Sequence, residues 1–309
     1  MLNDRFLTGA VLKEILTCPL KGGIMVVAIA SGKGGTGKTT VATSLAAAGW
    51  MAGRTVQLLD GDVEAPNCHL LLRPTIRQSE PVLVPTPEID RSQCDGCGIC
   101  GGVCAFGALV CLNGQVVVFN ELCHSGGGCL NICPRGAILE KGREIGFIEE
   151  GDVAGMPFGQ GRLNVGEPRA VPVIAELKKR KAANGIVLID APPGTSCPVV
   201  EAIKDSDFVC LVTEPTPFGL HDLKQAVGTV RRLGLAMGVV INRAGIGDER
   251  VRTYCEQEHI PILMELPNDR RIAEAYSRGQ LIVEALPVYR ADFEALLERI
   301  EQYVGERHT

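Results

Sequence analysis

The chain has 309 residues, of which 46% are hydrophobic and 22% charged, so it can bury a full core in one large domain or two. A net charge of −5 and an aromatic content of 4% disfavour a nucleic-acid surface, including one built from stacking rings. The chain has thirteen cysteines, and the metal-binding spacing of those in its middle favours a reducing, cytoplasmic location over a secreted disulfide framework. No apolar run is long enough to span a membrane, so we expect no stable membrane association.

Residues 1–24 are expected to form an N-terminal extension ahead of the first predicted strand. One helical face of this segment would be apolar, formed by Phe6, Val11, Leu12, Ile15 and Leu16. Asp4 and Glu14 interrupt any signal-peptide core, so we expect an extension that packs or frays.

Short apolar runs alternate with helical patterns along the rest of the chain. The predicted strands are residues 25–30, 55–59, 186–189, 208–212, 238–241 and 262–266. The predicted helices are residues 38–49, 171–183, 197–204, 220–233, 248–258, 270–278 and 290–304. This alternation predicts an α/β fold with a doubly wound, mostly parallel sheet buried on both faces. The interval from residue 60 to residue 186 is too long for a connection and should contain a domain of its own.

The last predicted helix places five apolar side chains on one face: Phe293, Leu296, Leu297, Ile300 and Val304. Its other face is rich in acidic residues, whereas helices that lie on membranes usually carry Lys and Arg there. We therefore expect this helix to pack on the core.

A glycine-rich segment, SGKGGTGKTT at residues 31–40, follows the first predicted strand and opens the first helix. Glycines let the backbone wrap around phosphates, and the amides at the helix N-terminus donate to them. Lys38 should reach the β- and γ-phosphates of ATP, and the Thr39 hydroxyl should bind Mg²⁺. The predicted nucleotide-binding residues here are Gly34, Gly35, Thr36, Gly37, Lys38, Thr39 and Thr40.

Lys33 gives this loop the K-G-G-x-G-K-T form of a deviant Walker A motif. In these residues the chain resembles the MinD/ParA group of SIMIBI-class P-loop ATPases, which includes the nitrogenase iron protein. The resemblance implies slow hydrolysis of ATP to ADP and phosphate in a homodimer, with Lys33 reaching the partner's nucleotide. It places Asp62 beside the attacking water and Asp190 at Mg²⁺ through water, and the residues implied to hold adenine are Asn242, Arg243 and Pro267.

Seven of the eight cysteines from residue 94 to residue 133, all except Cys111, are spaced like those of a two-cluster ferredoxin. In such ferredoxins the fourth cysteine of each run binds the other cluster. The resemblance therefore implies one four-iron cluster held by Cys94, Cys97, Cys100 and Cys133. The second cluster would be held by Cys104, Cys123 and Cys129, with Gly126 at the position of the missing cysteine.

The missing ligand leaves three alternatives for the second cluster: a three-iron cluster, a four-iron cluster with a non-cysteine or external ligand, or no stable cluster. His124 and Cys111 are nearby substitutes, although neither has the expected spacing. Zinc is disfavoured because the seven thiols of the two runs exceed the four that one tetrahedral zinc requires.

Four cysteines, Cys18, Cys68, Cys210 and Cys255, are predicted to be small buried hydrophobic residues. Cys197 follows Asp190 by seven residues, the offset of a cluster ligand in the nitrogenase iron protein, but we expect structural packing.

Residues 25 to about 300 together resemble MinD-superfamily ATPases with an inserted ferredoxin domain. The resemblance implies an ATPase domain at residues 25–85 and 148–309 and an α+β, bacterial ferredoxin-like insertion at residues 86–147. The leading hypothesis is an ATPase dimer whose closure gates electron transfer to an unknown redox partner. The alternatives are an iron–sulfur cluster scaffold that serves an apo-protein acceptor, as Mrp-type relatives are thought to, and a positioning ATPase with structural clusters.

Overall fold

The computed structural model describes residues 23–307, so the apolar helical face predicted near the N-terminus lies outside the described residues. The strands are β1 (Ile24–Ala30), β2 (Val56–Asp60), β3 (Thr75–Ile89), β4 (Leu109–Leu112), β5 (Gln115–Val118), β6 (Ile138–Val153), β7 (Met156–Leu163), β8 (Gly185–Asp190), β9 (Phe208–Thr213), β10 (Ala236–Ala244) and β11 (Ile262–Pro267). The helices are α1 (Lys38–Met51), α2 (Cys68–Leu72), α3 (Ile99–Val103), α4 (Gly128–Ile132), α5 (Ala170–Lys178), α6 (Cys197–Ile203), α7 (Pro217–Arg232), α8 (Arg250–Gln257), α9 (Arg270–Ser277), α10 (Ile282–Ala285) and α11 (Arg290–Arg307). Short 3₁₀ turns occur at Asn120–Leu122 and Pro287–Tyr289.

Nine strands form one sheet in the order β11-β10-β9-β1-β8-β2-β7-β6-β3. The seven strands from β11 to β7 are parallel, while β6 runs antiparallel to both of its neighbours. Separate apolar clusters cover the two faces, since alternate residues of β1 such as Val27 and Ala28 belong to different clusters. The predicted doubly wound, mostly parallel sheet is confirmed.

Helix α11 packs on the core as predicted. Its five apolar side chains are all at most 3% exposed and belong to the same cluster as α1 and β1. None of the helices within residues 23–307 is long and apolar enough to cross a membrane.

Helices α7 and α5 each differ from the sequence-based expectation at one end. Helix α7 begins at Pro217, three residues early, because the Thr216 hydroxyl caps it by accepting from the Gly219 N–H and proline is well suited to a first turn. Helix α5 ends at Lys178, before the predicted end at residue 183. Beyond the end of this helix, the Gln57 side chain donates to the Arg180 carbonyl and accepts from the Ala182 N–H.

Strand β7 is absent from the predicted strands although it lies in the main sheet. Its glycines allow close packing: a Cβ at Gly159 would lie 2.9 Å from Leu59 Cδ2, and one at Gly161 would lie 2.6 Å from Val63 Cγ1. Because glycines stand where apolar side chains would otherwise alternate with polar ones, the sequence of this strand lacks the alternating pattern. The sequence therefore did not predict it.

Strands β3 and β6 form a long antiparallel ribbon at the edge of the sheet, paired from Thr75–Asp152 to Ile89–Ile138. The expected domain boundaries at 85/86 and 147/148 both fall within these strands. Residues 90–137, which we call the insert, occupy the tip of the ribbon and contain α3, α4 and the β4–β5 hairpin. The insert has a small core of its own, and cysteines make up much of it.

Candidate nucleotide and metal sites

A cavity of about 370 Å³ opens above the glycine-rich loop at the C-terminal end of β1. Gly35 and Gly37 adopt left-handed φ angles of 78° and 91°, and Gly37 caps α1. A Cβ at Gly37 would lie 2.2 Å from Asn242 Nδ2, which donates to the Thr36 carbonyl at 2.7 Å. Glycine is required here both for the backbone angle and for the close approach of Asn242.

The charged centre of this site joins Lys38, Thr39 and Asp190 at the floor of the cavity. Lys38 Nζ lies 3.0 Å from Asp190 Oδ1, and the Thr39 hydroxyl donates to Asp190 Oδ2 at 2.6 Å. Burial opposes ionisation of Lys38, but the Asp190 carboxylate outweighs it and raises the lysine pKa. A cation and two oxygen ligands therefore converge where the phosphate chain of a nucleotide and its Mg²⁺ would lie.

Asp60 and Cys68 extend this polar centre, and sequence reasoning missed both roles. Asp60 is fully buried and accepts from the Asn67 and Cys68 backbone N–H groups, at 2.9 Å each. Burial and the neighbouring Asp190 charge raise the pKa of Asp60. Cys68 is buried in the apolar core as predicted, and its thiol also donates to Asp190 Oδ2 at 3.4 Å, a contact that the sequence did not predict.

The remaining residues predicted for the nucleotide also line the cavity. Asp62 is half-buried on its wall, and burial raises its pKa against the opposing effect of Lys38. Asn242, Arg243 and Pro267 also line the cavity. An apolar shelf beyond Pro267, formed by Ile272, Ala273 and Tyr276 of α9, was not anticipated from the sequence, because these residues match no motif.

Four cysteines of the insert surround one small space. Cys94, Cys97, Cys100 and Cys133 line a cavity with about 10 Å³ accessible to water. Burial raises the pKa of Cys100, with a contribution from the nearby Cys133 and Cys94 thiols. The structure thus brings together one cysteine from the second run with three from the first.

The other three cysteines surround a larger and more open space. Cys104, Cys123 and Cys129 line a cavity with about 200 Å³ accessible to water, which Gly126 also lines. Burial opposes ionisation of Cys104, but backbone N–H groups of residues 106–109 together lower its pKa. Every cysteine within residues 23–307 is a free thiol.

An internal repeat relates the two groups. Cys104 Sγ accepts from the Ala108 N–H at 3.3 Å, and Cys133 Sγ accepts from the Ala137 N–H at 3.4 Å. Helices α3 and α4 are each capped by a glycine with a left-handed φ, Gly98 at 76° and Gly127 at 69°. Cys97 and Gly126 each precede these glycines by one residue, so Gly126 occupies the position equivalent to Cys97.

Comparison with known proteins places this architecture in a family. Residues 27–282 match the model for the CobQ/CobB/MinD/ParA nucleotide-binding domain. The chain belongs to this family. It is 31% identical over 260 residues to the uncharacterized protein MJ0579 of Methanocaldococcus jannaschii, covering 83% of this chain and 91% of that one.

Two other similarities lie within the same fold. A cytosolic Fe-S cluster assembly factor, the NUBP2 homolog of Culex quinquefasciatus, is 26% identical over 282 residues, covering 85% of this chain and 90% of that one. The septum site-determining protein MinD of Pyrococcus horikoshii, solved with Mg-ADP, aligns with a TM-score of 0.56 at 21% identity over 91% of this chain and 98% of that one.

The structure places the extra lysine of the loop beside a buried acid. Lys33 Nζ lies 3.8 Å from Glu214 Oε2, and Arg243 Nη1 lies 2.7 Å from Glu214 Oε1. The Lys33 side chain is 35% exposed, so it lies at the rim of the cavity. The sequence analysis assigned no role to Glu214, which lies in the stretch TEPTPFGL at residues 213–220.

Of the other cysteines, Cys210 and Cys255 are buried as predicted, and burial raises their pKa values to about 12 and about 11. Cys197 lies exposed at the start of α6, so the expectation that it packs structurally is wrong. Cys18 lies outside the described residues. The Cys111 thiol donates to the Gly96 carbonyl at 3.0 Å, beside the first group of cysteines, and not toward Gly126.

A buried ion network fastens the insert to the ATP-binding body. Arg169, which precedes α5, donates to the Cys123 carbonyl and, at 3.3 Å, to the Ser125 hydroxyl. Its Nε lies 2.8 Å from Glu167, which Arg143 also contacts at 2.5 Å. The Arg169 and Glu167 side chains are only 11% and 4% exposed. The loop that carries Cys123 is therefore held directly by the body of the protein.

Proposed function

We propose that this protein binds and slowly hydrolyses MgATP and carries two iron–sulfur clusters in a ferredoxin-like domain, with ATP-dependent dimer closure controlling electron transfer. The observation that carries this proposal is the convergence of seven cysteines into two groups on a ribbon continuous with the ATP-binding sheet. Each group offers several free thiols around a space, and bound clusters would supply one-electron transfer.

The residues of the insert fit iron–sulfur clusters well. Cys94, Cys97, Cys100 and Cys133 would hold the first cluster. Cys104, Cys123 and Cys129 would hold the second. Backbone N–H groups that point at Cys104 lower its pKa and so favour the thiolate form that a cluster requires.

At the nucleotide site, the proposed chemistry is positioning and neutralisation of charge. Phosphoryl transfer needs little covalent help from the protein. The amides of residues 34–37 and Lys38 would hold the phosphates, Thr39 and Asp190 would orient Mg²⁺, and Asp62 would orient the attacking water. The exposed Lys33 would leave Glu214 and reach the partner's nucleotide in a homodimer.

A continuous set of contacts supports coupling between the two sites. The Gly194 N–H donates to the Ser31 carbonyl at 2.9 Å, which joins the segment after Asp190 to the phosphate loop. Helix α6 follows that segment and packs on α5. Arg169 at the start of α5 holds Cys123. A shift of the segment after Asp190 between ATP and ADP states would therefore reach the second group of cysteines.

A second candidate function is a scaffold that delivers iron–sulfur clusters to an apo-protein. It is favoured by the NUBP2 homolog, a protein named as a cytosolic Fe-S cluster assembly factor.

The proposal is tested on anaerobically purified protein by iron and sulfide analysis, with redox titration in the presence of ADP or ATP. We expect about two clusters per chain and a reduction potential that changes when ATP replaces ADP. Light scattering should show a dimer with ATP, and Lys33→Ala should weaken the dimer while keeping nucleotide binding. Rapid transfer of clusters to an apo-ferredoxin, with potentials insensitive to nucleotide, would instead support the scaffold.

A further inference from the structure

The two groups of cysteines differ at one equivalent position. Where the first group has Cys97, the second has Gly126, and the space accessible to water rises from about 10 Å³ to about 200 Å³. Gly126 is exposed, and no atom outside its chain neighbours lies within 4 Å of the position that a Cβ would take. The second group therefore opens to solvent at the point where its fourth ligand is missing.

Side chains around this opening are already engaged or chemically unsuited to the missing position. The Ser125 hydroxyl donates to the Pro85 carbonyl at 2.6 Å. The His124 ring stacks on Phe106 with 3.8 Å between centroids. Glu140 also lines the cavity, but a carboxylate is a hard ligand, whereas iron–sulfur clusters select soft thiolates.

We propose that the cavity at Gly126 binds a small external thiol as its thiolate, in the position that Cys97 holds in the first group. This inference rests on the proposed function, because it requires a four-iron cluster held by Cys104, Cys123 and Cys129. On binding, the thiol would lose its proton to solvent and its sulfur would bond to the iron in place of a solvent molecule, which would leave, with no electron transferred.

The rim of the cavity also suits a thiol that carries an apolar group. Phe106 is 54% exposed, and its stacked pair with His124 presents ring surface beside the opening. Sulfur and apolar carbon both pack favourably against such rings. Aromatic thiols should therefore bind more tightly than small aliphatic thiols.

The test uses two substitutions at Gly126 that differ in one sulfur atom. The φ angle of Gly126 lies outside the left-handed region and its surroundings are open, so both Gly126→Ala and Gly126→Cys should fold. Anaerobic full-length protein is titrated with 4-fluorobenzenethiol and followed by fluorine NMR, with iron and sulfide measured in parallel. Wild type and Gly126→Ala should show a shifted, saturable bound signal. Gly126→Cys should lose that signal at equal iron content.

The outcomes separate the two proposals. Equal iron and sulfide in all three proteins, with no bound signal in wild type or an undiminished signal in Gly126→Cys, would overturn the thiol site. A three-iron cluster in wild type after anaerobic reconstitution would also overturn it, because the iron that binds the thiol would be absent. Zinc without sulfide in every protein would contradict the proposed function itself.

Discussion

Removal of the Arg169 side chain should release the second cluster without unfolding the protein. Arg169 is 11% exposed and holds Glu167, the Cys123 carbonyl and the Ser125 hydroxyl. Breaking a buried ion pair costs about 3–5 kcal/mol, chiefly through the partner left unpaired. Glu167 still pairs with Arg143 at 2.5 Å after the substitution. The stabilisation lost should therefore be closer to that of hydrogen bonds to a charged group, about 2–3 kcal/mol.

The lost stabilisation should make local opening of the loop that carries Cys123 easier, without changing the stability of the whole protein. If iron leaves through that opening, a change of about 2–3 kcal/mol accelerates its release roughly 30- to 150-fold. Anaerobic Arg169→Ala protein is mixed with an iron chelator, and release is followed by absorbance. We expect two phases, of which only the phase from the second cluster accelerates. The first cluster serves as an internal reference in the same molecule.

The matched control is Arg77→Ala on the same ribbon. Arg77 also forms an arginine–carboxylate pair, with Asp152 at 2.5 Å, but its side chain is 69% exposed. Solvent-exposed pairs contribute little, so iron release should match wild type. Unchanged release in Arg169→Ala, or equal acceleration of both phases, would refute the proposed fastening role.

Three further predictions concern the nucleotide site and the metal. Gly37→Ala should abolish ADP binding in equilibrium dialysis while the circular dichroism spectrum stays unchanged, because the new Cβ collides with Asn242 Nδ2. Asp62→Ala should retain ATP but release phosphate slowly, and rapid phosphate release would remove Asp62 from its role. Iron removal should raise the rate of hydrogen exchange in the insert, because cysteines make up much of its small core, while β1 stays protected. A rise in exchange throughout the protein would contradict this prediction.

The sequence predicted the parallel sheet well because its strands are buried runs of β-branched residues. The same reasoning failed for β7, where glycines fit against Leu59 and Val63 in place of apolar side chains. It also left the ribbon of β3 and β6 without assigned strands. Prolines and charged residues interrupt the alternation there, and long-range pairing stabilises both strands.

The candidate sites show a similar division. Motif spacing predicted the phosphate loop and the cysteine positions because those residues act in fixed local order. The contacts of Cys68 with Asp190 and of Glu214 with Arg243 were not predicted, because each joins segments that are far apart in the chain. Among Gly126, Gly127 and Gly128, only Gly127 adopts a left-handed φ, at 69°.

The ribbon makes the insert a removable part. Ile89 and Ile138 pair directly, so the chain leaves the sheet and returns to it on neighbouring strands, about 4.8 Å apart. A two-residue hairpin turn can close that gap with no change of register. Residues 90–137 can thus be exchanged for a short turn, or for another metal-binding unit with adjacent ends, leaving the nine-stranded sheet intact.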